Sequence, residues 1–381
     1  MKKFFKISAV AAAVGMAVTL AGCGGCSGCS GNTANSTVTN SNWYTGTSYK
    51  GIQPSFIAEG EFENYKERIS YSVNFDGSAA KNNSYSVEYK DGKYSTEFYA
   101  TRYDWQSSLD GYKSEKTELV YYYKTEFSIS VRYSLKSGGE SEWFDDSVIT
   151  ESYFRAAGNN LQPIFSRQQI KSTSPNKNKA KTLEDAYKRI DAVYENYYSP
   201  DCKEVTSVTK EAGKDETTDT YSFKKVKNTL FDNSSLYIAV RSMKLNSGYS
   251  QTVSLFSAAA GGVSSYLVSG STAALESGER KEISSELAGK GLYVPKNSTD
   301  ENGNPVEDAG INSVAMNINY TGGVLSGTTQ TVWYAAIENT DNNVSRATML
   351  KISIPLSYNL GTLNYTLKEV ESTLWTGDNR K

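Results

Sequence analysis

Cysteine is the residue type with the greatest capacity for covalent chemistry in this chain. The four cysteines are Cys23, Cys26, Cys29 and Cys202, and two residues separate each of the first three from the next. A thiolate can act as a nucleophile or as a metal ligand, and Cys-x-x-Cys spacing also occurs at iron–sulfur sites. No fourth ligand lies near this segment, so we expect no metal and no cofactor. Cys26 and Cys29 then either form a disulfide or stay as thiols.

Cys23 follows a segment with the composition of an export signal. Three lysines lie within the first six residues, residues 7–20 form an uncharged apolar run, and Leu20-Ala21-Gly22-Cys23 comes next. A basic start, a short apolar stretch and small residues before a cut are typical of a cleaved signal peptide. The run is shorter than the ~18–20 residues that a permanent membrane-spanning helix needs.

The tetrad Leu20-Ala21-Gly22-Cys23 resembles the lipobox of bacterial prolipoproteins at every position. The resemblance implies a diacylglyceryl group on the Cys23 thiol and cleavage between Gly22 and Cys23. Two acyl chains hold a protein stably on a membrane. It therefore implies an extracytoplasmic, membrane-anchored protein of the bacterial cell envelope, with an ordinary cleaved signal followed by a chance cysteine as the alternative.

Composition predicts the organisation behind this signal. Gly, Ser, Asn and Thr dominate up to about residue 50, and such a segment buries too little apolar surface to fold. We therefore expect a signal peptide at 1–22, a lipidated flexible tether at 23–50 and one antiparallel β domain at 51–376.

The chain contains no histidine. This absence excludes Ser-His-Asp and Cys-His catalysis and histidine-based zinc sites. No Gly-x-Ser-x-Gly elbow and no glycine-rich phosphate loop occurs either. The net charge of −2 falls to about −5 when the three lysines of the signal are removed, which disfavours nucleic-acid binding. We predict a protein that is not an enzyme and binds no nucleic acid.

Carboxylates are concentrated in two places. They are Glu140, Glu142, Asp145 and Asp146, and then Asp300, Glu301, Glu307 and Asp308. Paired carboxylates can hydrolyse glycosides, and oxygen-rich loops can bind calcium. The loop that starts at Asp300 has its glycine in the fourth position, whereas the calcium-loop pattern requires it in the sixth. Solvated turns are the better interpretation of both groups.

Aromatic residues are abundant, with 28 Tyr, 13 Phe and 5 Trp. Together with the tyrosines, the tryptophans could form a sugar-stacking platform; they are Trp43, Trp105, Trp143, Trp333 and Trp375. Aromatic side chains on half-buried strands more often pack in the core or against a neighbouring strand. Carbohydrate binding is therefore kept as the less favoured interpretation.

Strict alternation of apolar and polar residues predicts the elements that position these side chains. The clearest runs are Phe127 to Leu135, Val314 to Tyr320, Leu350 to Leu356 and Leu363 to Leu367. Alternation is typical of strands with one face on a core, and short glycine-containing turns between them favour antiparallel neighbours. Residues 182–198 fit helical spacing better than alternation, and Asp232-Asn233-Ser234 is expected to cap a short helix that carries Leu236 and Val240.

Several motifs, taken in order, resemble a family of uncharacterised bacterial envelope proteins with a lipoprotein-carrier-like fold. They are Asn159 to Gln168, Phe231 to Tyr237 with Arg241, Thr331-Val332-Trp333-Tyr334, and Pro355 to Leu363. The resemblance implies a mainly β fold: one large curved, half-barrel-like antiparallel sheet with one or two short helices over an apolar cleft. It also implies that residues 187–198 form a strand. The looser match at Glu338-Asn339-Thr340-Asp341 departs from the pattern.

Two functions from different classes follow from these expectations. In the first, the cleft binds a hydrophobic ligand such as an acyl chain, and its candidate lining is Met316, Ile318, Trp333, Ile352, Ile354, Leu363 and Leu367. In the second, the protein is a structural or surface-interaction lipoprotein, with glycan binding as one option, and has a filled core. Cavity volume separates the two, because ligand sites of this kind run to roughly 300–1,000 Å³. The partners implied are the membrane, through lipid on Cys23, and a hydrophobic small molecule or lipid.

Overall fold

The computed structural model describes residues 66–104, 117–157, 160–224, 226, 230–241, 243, 245, 247–295, 298–306, 308–323, 328–336 and 348–372. The predicted signal peptide and tether, with Cys23, Cys26 and Cys29, lie outside these ranges. So do Trp43, Trp105, Trp375 and the predicted domain limits at 51 and 376.

Strands dominate the described residues. They are β1 (Lys66–Asp76), β2 (Tyr85–Asp104), β3 (Thr117–Leu135), β4 (Phe144–Ala157), β5 (Asn160–Pro175), β6 (Tyr187–Tyr198), β7 (Glu204–Glu211), β8 (Thr217–Ser222), β9 (Leu230–Asp232), β10 (Ser250–Ser257), β11 (Gly262–Ser271), β12 (Ser298–Thr299), β13 (Pro305–Val306), β14 (Ser313–Gly323), β15 (Gln330–Ala335), β16 (Met349–Pro355) and β17 (Thr362–Ser372). The helices are α1 (Leu183–Ala186), α2 (Leu236–Arg241) and α3 (Ser277–Gly289), with 3₁₀ turns at Asn233–Ser235 and Ser357–Asn359.

One open sheet contains all but two of these strands. Its 15 strands follow the order β8-β7-β6-β5-β4-β3-β2-β1-β17-β16-β15-β14-β11-β10-β9, and β12 pairs with β13 separately. Every neighbouring pair in the large sheet is antiparallel except β9 and β10, which are parallel. The prediction of a mainly β protein built on one large curved sheet is confirmed.

The two ends of the sheet meet through side chains and not through backbone hydrogen bonds. Phe256 on β10 packs with Tyr198 on β6, Tyr221 on β8 and Phe223, at ring-centroid distances of 6.2, 5.0 and 5.4 Å. Leu255, its neighbour on β10, belongs instead to the main core, so β10 is buried on both faces. The β6–β8 end therefore overlaps the β10 end, and the sheet forms a barrel-like wrap.

Most of the main core lies on the concave face of this sheet. In β3 the inward residues Tyr121, Tyr123, Phe127 and Ile129 are buried in one cluster that also contains all of α2 except Arg241. Period-two alternation places these side chains on one face. The same alternation correctly predicted β14, β16 and β17.

The helices differ in part from expectation. The structure has a single turn, α1, followed by the strand β6, so the helical spacing of residues 182–198 was misleading beyond the first turn, and the strand at 187–198 implied by the family resemblance is confirmed. Asp232 caps the 3₁₀ turn that leads into α2, as predicted. Helix α3, of 13 residues, was not predicted, because few of its side chains are apolar and only Ile283, Ser284 and Leu287 are buried.

Candidate functional site

Helix α2 occupies the inside of the barrel. All six of its residues are buried, and two tyrosines tie it to the wall. Tyr237 donates its hydroxyl to Gln330 Oε1 on β15 at 2.8 Å, and Tyr334 on β15 donates to the Tyr237 carbonyl at 2.9 Å. The space that a lumenal ligand would need is therefore taken by the helix.

A buried polar network fixes the start of this helix. Asp232 accepts hydrogen bonds from the Tyr198 hydroxyl, from Ser166 Oγ at 2.6 Å and from the Ser234 amide at 2.8 Å. Asn196 Nδ2 donates to Ser166 Oγ at 2.9 Å. Since a buried carboxylate must have its acceptor sites filled, this network reads as an N-terminal cap that joins β5 and β6 to β9 and α2.

A buried ion pair fixes the other end of the helix. Arg241, at the C-terminus of α2, donates to both carboxylate oxygens of Glu67 on β1, with Nη2 to Oε2 at 2.9 Å. Bidentate Arg–carboxylate pairs are geometrically specific. The pair positions the helix in one orientation, and it lies beside Tyr71, whose hydroxyl donates to the Met349 carbonyl at 2.9 Å.

The seven predicted cleft residues all lie in the main core. Their exposed fractions run from 0% to 7%, and they are Met316, Ile318, Trp333, Ile352, Ile354, Leu363 and Leu367. Trp333 alternates with Val332 on β15, so it lies on the other face of the sheet from Ile352, which pairs with Val332. There its indole N–H donates to the Ala273 carbonyl at 3.2 Å. Whether the other six ever line a ligand site stays a prediction.

Among the cavities lined by described residues are two to which none of these seven contributes. A void of about 10 Å³ lies between α2 and the wall, next to Tyr71, Tyr123 and Arg241. A groove of about 300 Å³ lies at the β6–β7 end, among Lys188, Asp191, Tyr194, Glu211 and Lys214. The first is far below the size of a ligand site. The second is charged, and Lys214 pairs with Glu211 within it.

The convex face of the sheet carries a continuous line of aromatic rings. We call it the aromatic row; its members are Tyr99, Tyr122, Tyr153, Phe165 and Tyr197, one from each strand from β2 to β6. Each ring lies directly opposite the next in register. The ring-centroid distances along the row are 4.7, 4.9, 6.2 and 5.1 Å. These residues alternate with the inward ones, so they point away from α2.

Exposure differs along the aromatic row. Tyr122 is 5% exposed, whereas the other four rings are half-buried. The Tyr122 hydroxyl donates to Glu151 Oε1 at 2.7 Å, and burial, followed by this hydrogen bond, raises the pKa of Tyr122. The row thus consists of four partly accessible rings and the buried ring of Tyr122, which lies between Tyr99 and Tyr153.

A second line of side chains, the charged row, runs beside the aromatic row, two residues along each strand. Its members alternate in sign in direct register: Glu97, Lys124, Glu151, Arg167 and Glu195. Arg68 on β1 lies opposite Glu97 and gives the row three charges of each sign. Arg167 Nε lies 3.4 Å from Glu195 Oε1, and Tyr197 donates to Glu195 at 3.2 Å. The convex face thus combines aromatic surface with a neutral, polar border.

The other residues singled out in the sequence do not meet in one place. Trp143 stands apart from the aromatic row, with Lys90 Nζ 4.2 Å and the Arg132 guanidinium carbon 4.9 Å from its ring centroid. Asp145 accepts from Ser130 at 2.8 Å on the solvent side, whereas Asp146 points inward. Asp300 closes its own turn by accepting from the Asn302 and Asn304 amides.

No group of three or more potential ligands for a metal ion occurs among the described residues. Within the same ranges, no helix is both long and apolar enough to cross a membrane. Cys202 is partly buried, and burial raises the pKa of its thiol to about 11, which makes it a poor nucleophile.

Sequence reasoning found aromatic abundance but not the aromatic row. The less favoured interpretation of a sugar-stacking platform combined the five tryptophans with the tyrosines, whereas the row consists of tyrosine and phenylalanine. Which residues lie opposite one another depends on register across five strands, and that cannot be read from one strand at a time.

Comparison with known proteins gives little beyond architecture. No family model matches the chain, and no curated protein is similar to it. Among solved structures, the chain is similar to a beta-barrel-like protein of the domain of unknown function DUF1849 from Brucella abortus. The identity is 10% and the TM-score 0.41, over 81% of this chain and 98% of that one. A likeness of this size says nothing of what either protein binds.

Proposed function

We propose that this protein is a lipid-anchored, extracytoplasmic protein of the bacterial cell envelope that binds its partner on the convex face of β2–β6. The anchor rests on Leu20-Ala21-Gly22-Cys23 and the signal-like segment before it. The lipid holds the protein at the membrane, and the tether gives the β domain reach. Binding at a surface requires no catalytic group, so no enzymatic step is part of the proposal.

The observation that carries the proposal is that α2 is buried inside the sheet in the described part of the chain. Helix α2 lies inside the barrel, capped by Asp232 at one end and paired through Arg241 at the other. The void beside it, about 10 Å³, is on the order of a single water molecule. An acyl chain could take the place of α2 only if the helix left its position, which would break both the cap and a buried ion pair.

The surface features of the convex face also support the proposal. Isolated exposed apolar residues are normal, whereas a contiguous patch with a polar border is typical of an interaction site. The aromatic row supplies such a patch and the charged row supplies the border. Tyrosine is favoured at interfaces because it offers a large, rigid contact with a polar tip.

Native mass spectrometry of the mature chain, purified without its lipid, tests the choice between surface and cavity. We expect the mass of the protein alone, and no saturable uptake of a fluorescent fatty acid by the same sample. A stoichiometric apolar molecule that co-purifies, or fatty-acid uptake that saturates at one equivalent, would overturn the proposal in favour of a lumenal ligand.

A further inference from the structure

We infer that the aromatic row binds a neutral, β-linked polysaccharide chain that lies across strands β2–β6. The inference rests on the proposed function, because it assigns a ligand class to the same convex face. It depends on three properties of that face: the accessibility of the rings, their spacing and the charge balance beside them.

The first property is the accessibility of the rings, which lets a sugar stack on them. One face of a pyranose ring presents C–H bonds with partial positive charge, and the face of an aromatic ring is electron-rich. Stacking of this kind requires aromatic side chains held in place on a rigid element. Tyr99, Tyr153, Phe165 and Tyr197 are half-buried in a continuous sheet, so little conformational entropy is lost when a ligand binds.

The second property is the spacing of the rings. Neighbouring centroids are 4.7–6.2 Å apart because neighbouring strands are ~4.8 Å apart. This distance is close to the length of one sugar residue in an extended β-linked chain. An extended β-linked chain laid across the strands can therefore reach the accessible rings on both sides of the buried Tyr122, whereas a compact or strongly coiled α-linked chain cannot follow the row.

The third property is the balance of charge beside the rings. The charged row holds three residues of each sign when Arg68 is included. Hydroxyl groups donate and accept hydrogen bonds, so they can bond to both the carboxylates and the guanidinium group. A polyanionic or polycationic polymer would gain nothing from a row that is neutral overall.

Two other partners of an aromatic surface, an anionic membrane and a second copy of this chain, are less well suited to this face. An anionic membrane attracts clusters of lysine and arginine, and here each cation of the charged row faces a carboxylate in register. A stable second copy would require a broad apolar core in the interface. The apolar surface beside the row adds Val120 and Ile164, which are both buried, so the accessible part of the face is a narrow line that suits a linear chain.

The test is calorimetric titration of the delipidated mature chain with defined oligosaccharides. The probes are β-1,4-linked glucose and β-1,4-linked N-acetylglucosamine, each from disaccharide to hexasaccharide, with α-1,4-linked glucose of the same lengths as control. We expect binding of at least one β-linked series, with affinity that rises with chain length until the oligosaccharide spans the accessible rings of the row. The α-linked series should not bind.

Substitutions locate the site. Tyr153→Thr and Phe165→Thr remove one ring each and keep a residue suited to strands, and each should weaken binding about tenfold or more. Tyr153→Phe keeps the ring and should bind like the parent. Trp143→Thr removes a half-exposed aromatic residue outside the row and should also leave binding unchanged. Circular dichroism and thermal midpoints establish that each variant is folded.

The outcomes separate this inference from the proposed function. If no oligosaccharide binds the folded parent, or if Tyr153→Thr binds as the parent does, the glycan inference is wrong. If the parent instead self-associates or binds phosphatidylglycerol vesicles, and Tyr153→Thr abolishes this, the convex face is a binding surface but glycan is not its ligand. A lumenal ligand found by native mass spectrometry would remove the proposed function itself.

Discussion

Asp146 is a buried carboxylate whose charge should change near neutral pH. It lies on the inward face of β4 and is 4% exposed, and it accepts a hydrogen bond from the Thr173 amide at 2.8 Å. Burial raises its pKa to about 7, although the hydrogen bonds from Thr173 oppose the shift. The folded state therefore holds a proton on Asp146 over a range where the unfolded chain has released it.

This shift makes stability depend on pH in a defined direction. A folded pKa above the unfolded value of about 3.9 means that stability is highest below the unfolded pKa and is lost as pH rises to about 7. The loss from this one group is at most about 4 kcal/mol, since each pKa unit corresponds to ~1.4 kcal/mol. We expect Asp146→Asn to flatten the pH dependence of the free energy of unfolding between pH 4 and pH 7, measured in urea.

The neighbouring residue supplies the control for Asp146. Asp145 lies on the solvent side of the same strand, so Asp145→Asn is the matched surface substitution and should change the free energy of unfolding at pH 7 by less than about 1 kcal/mol. Equal slopes in the parent and in Asp146→Asn would show that Asp146 is ionised throughout this range.

Cys23 is the residue on which the proposed anchor depends. Only a thiol among the nearby side chains is nucleophilic enough to form the thioether, so Cys23→Ala should yield precursor that is not processed normally. We expect the variant to take up no labelled fatty acid in growing cells. Cys26→Ala serves as the matched control and should be labelled like the parent; undiminished labelling of Cys23→Ala would contradict the lipoprotein proposal.

At the scale of elements, alternation predicted the strands well because one face of each strand packs on the core. Phe127, Ile129, Val131 and Tyr133 are buried as the pattern requires. The helical interpretation of residues 187–198 was wrong, because the pairing of this segment with β5 and β7 outweighs its local helical pattern. Tertiary context of this kind is absent from the local sequence.

The candidate site could be predicted far less well than the strands. A single strand reveals that Tyr122 alternates with inward residues, but not that Tyr99 and Tyr153 lie on either side of it. That juxtaposition depends on the lengths of turns and on register shifts such as the one after Tyr153 in the β4–β5 pair. Similarly, apolar alternation identifies Ile352 as inward-facing, but not whether a helix or a cavity lies opposite.

Strand β16 allows a direct test of the filled interior. Ile352 is 0% exposed, so Ile352→Asn buries an amide without partners, and we expect a loss of about 3–5 kcal/mol in the free energy of unfolding. Ser353→Asn, one residue along on the half-buried convex side, should cost less than about 1 kcal/mol. The measurement is the urea midpoint of both variants.

The contrary outcome for Ile352→Asn is equally specific. If Ile352 lined an open cleft, the amide would be hydrated and the urea midpoint would hardly move. Saturable fatty-acid uptake by the parent, weakened in this variant, would accompany it. That combination would favour a hydrophobic ligand inside the barrel over a partner on the convex face.

At the scale of the whole molecule, the overlap of the two sheet ends decides how the barrel stays closed. Strand β8 pairs on one side only, and β9 is three residues long. Free edges of this kind are weak points of a sheet. The aromatic cluster around Phe256 and the hydrogen bonds from Ser166 and Tyr198 to Asp232 join the ends instead. Closure is therefore a side-chain interaction that one substitution can weaken.

Phe256→Ala should loosen the β6–β8 end selectively. The variant loses ring contacts with Tyr198, Tyr221 and Phe223, a change that costs about 3–5 kcal/mol in a packed core. Because β2–β5 keep both of their strand partners, we expect amide hydrogen exchange to accelerate in β7 and β8 while β2–β4 stay protected.

Phe98→Ala, which removes a ring from the main core among Tyr121 and Phe154, is the matched control and should raise exchange across the sheet. If Phe256→Ala gave the same uniform pattern as Phe98→Ala, the overlap would be part of a single cooperative core, and the convex face of β2–β6 could not keep its geometry when the barrel opens.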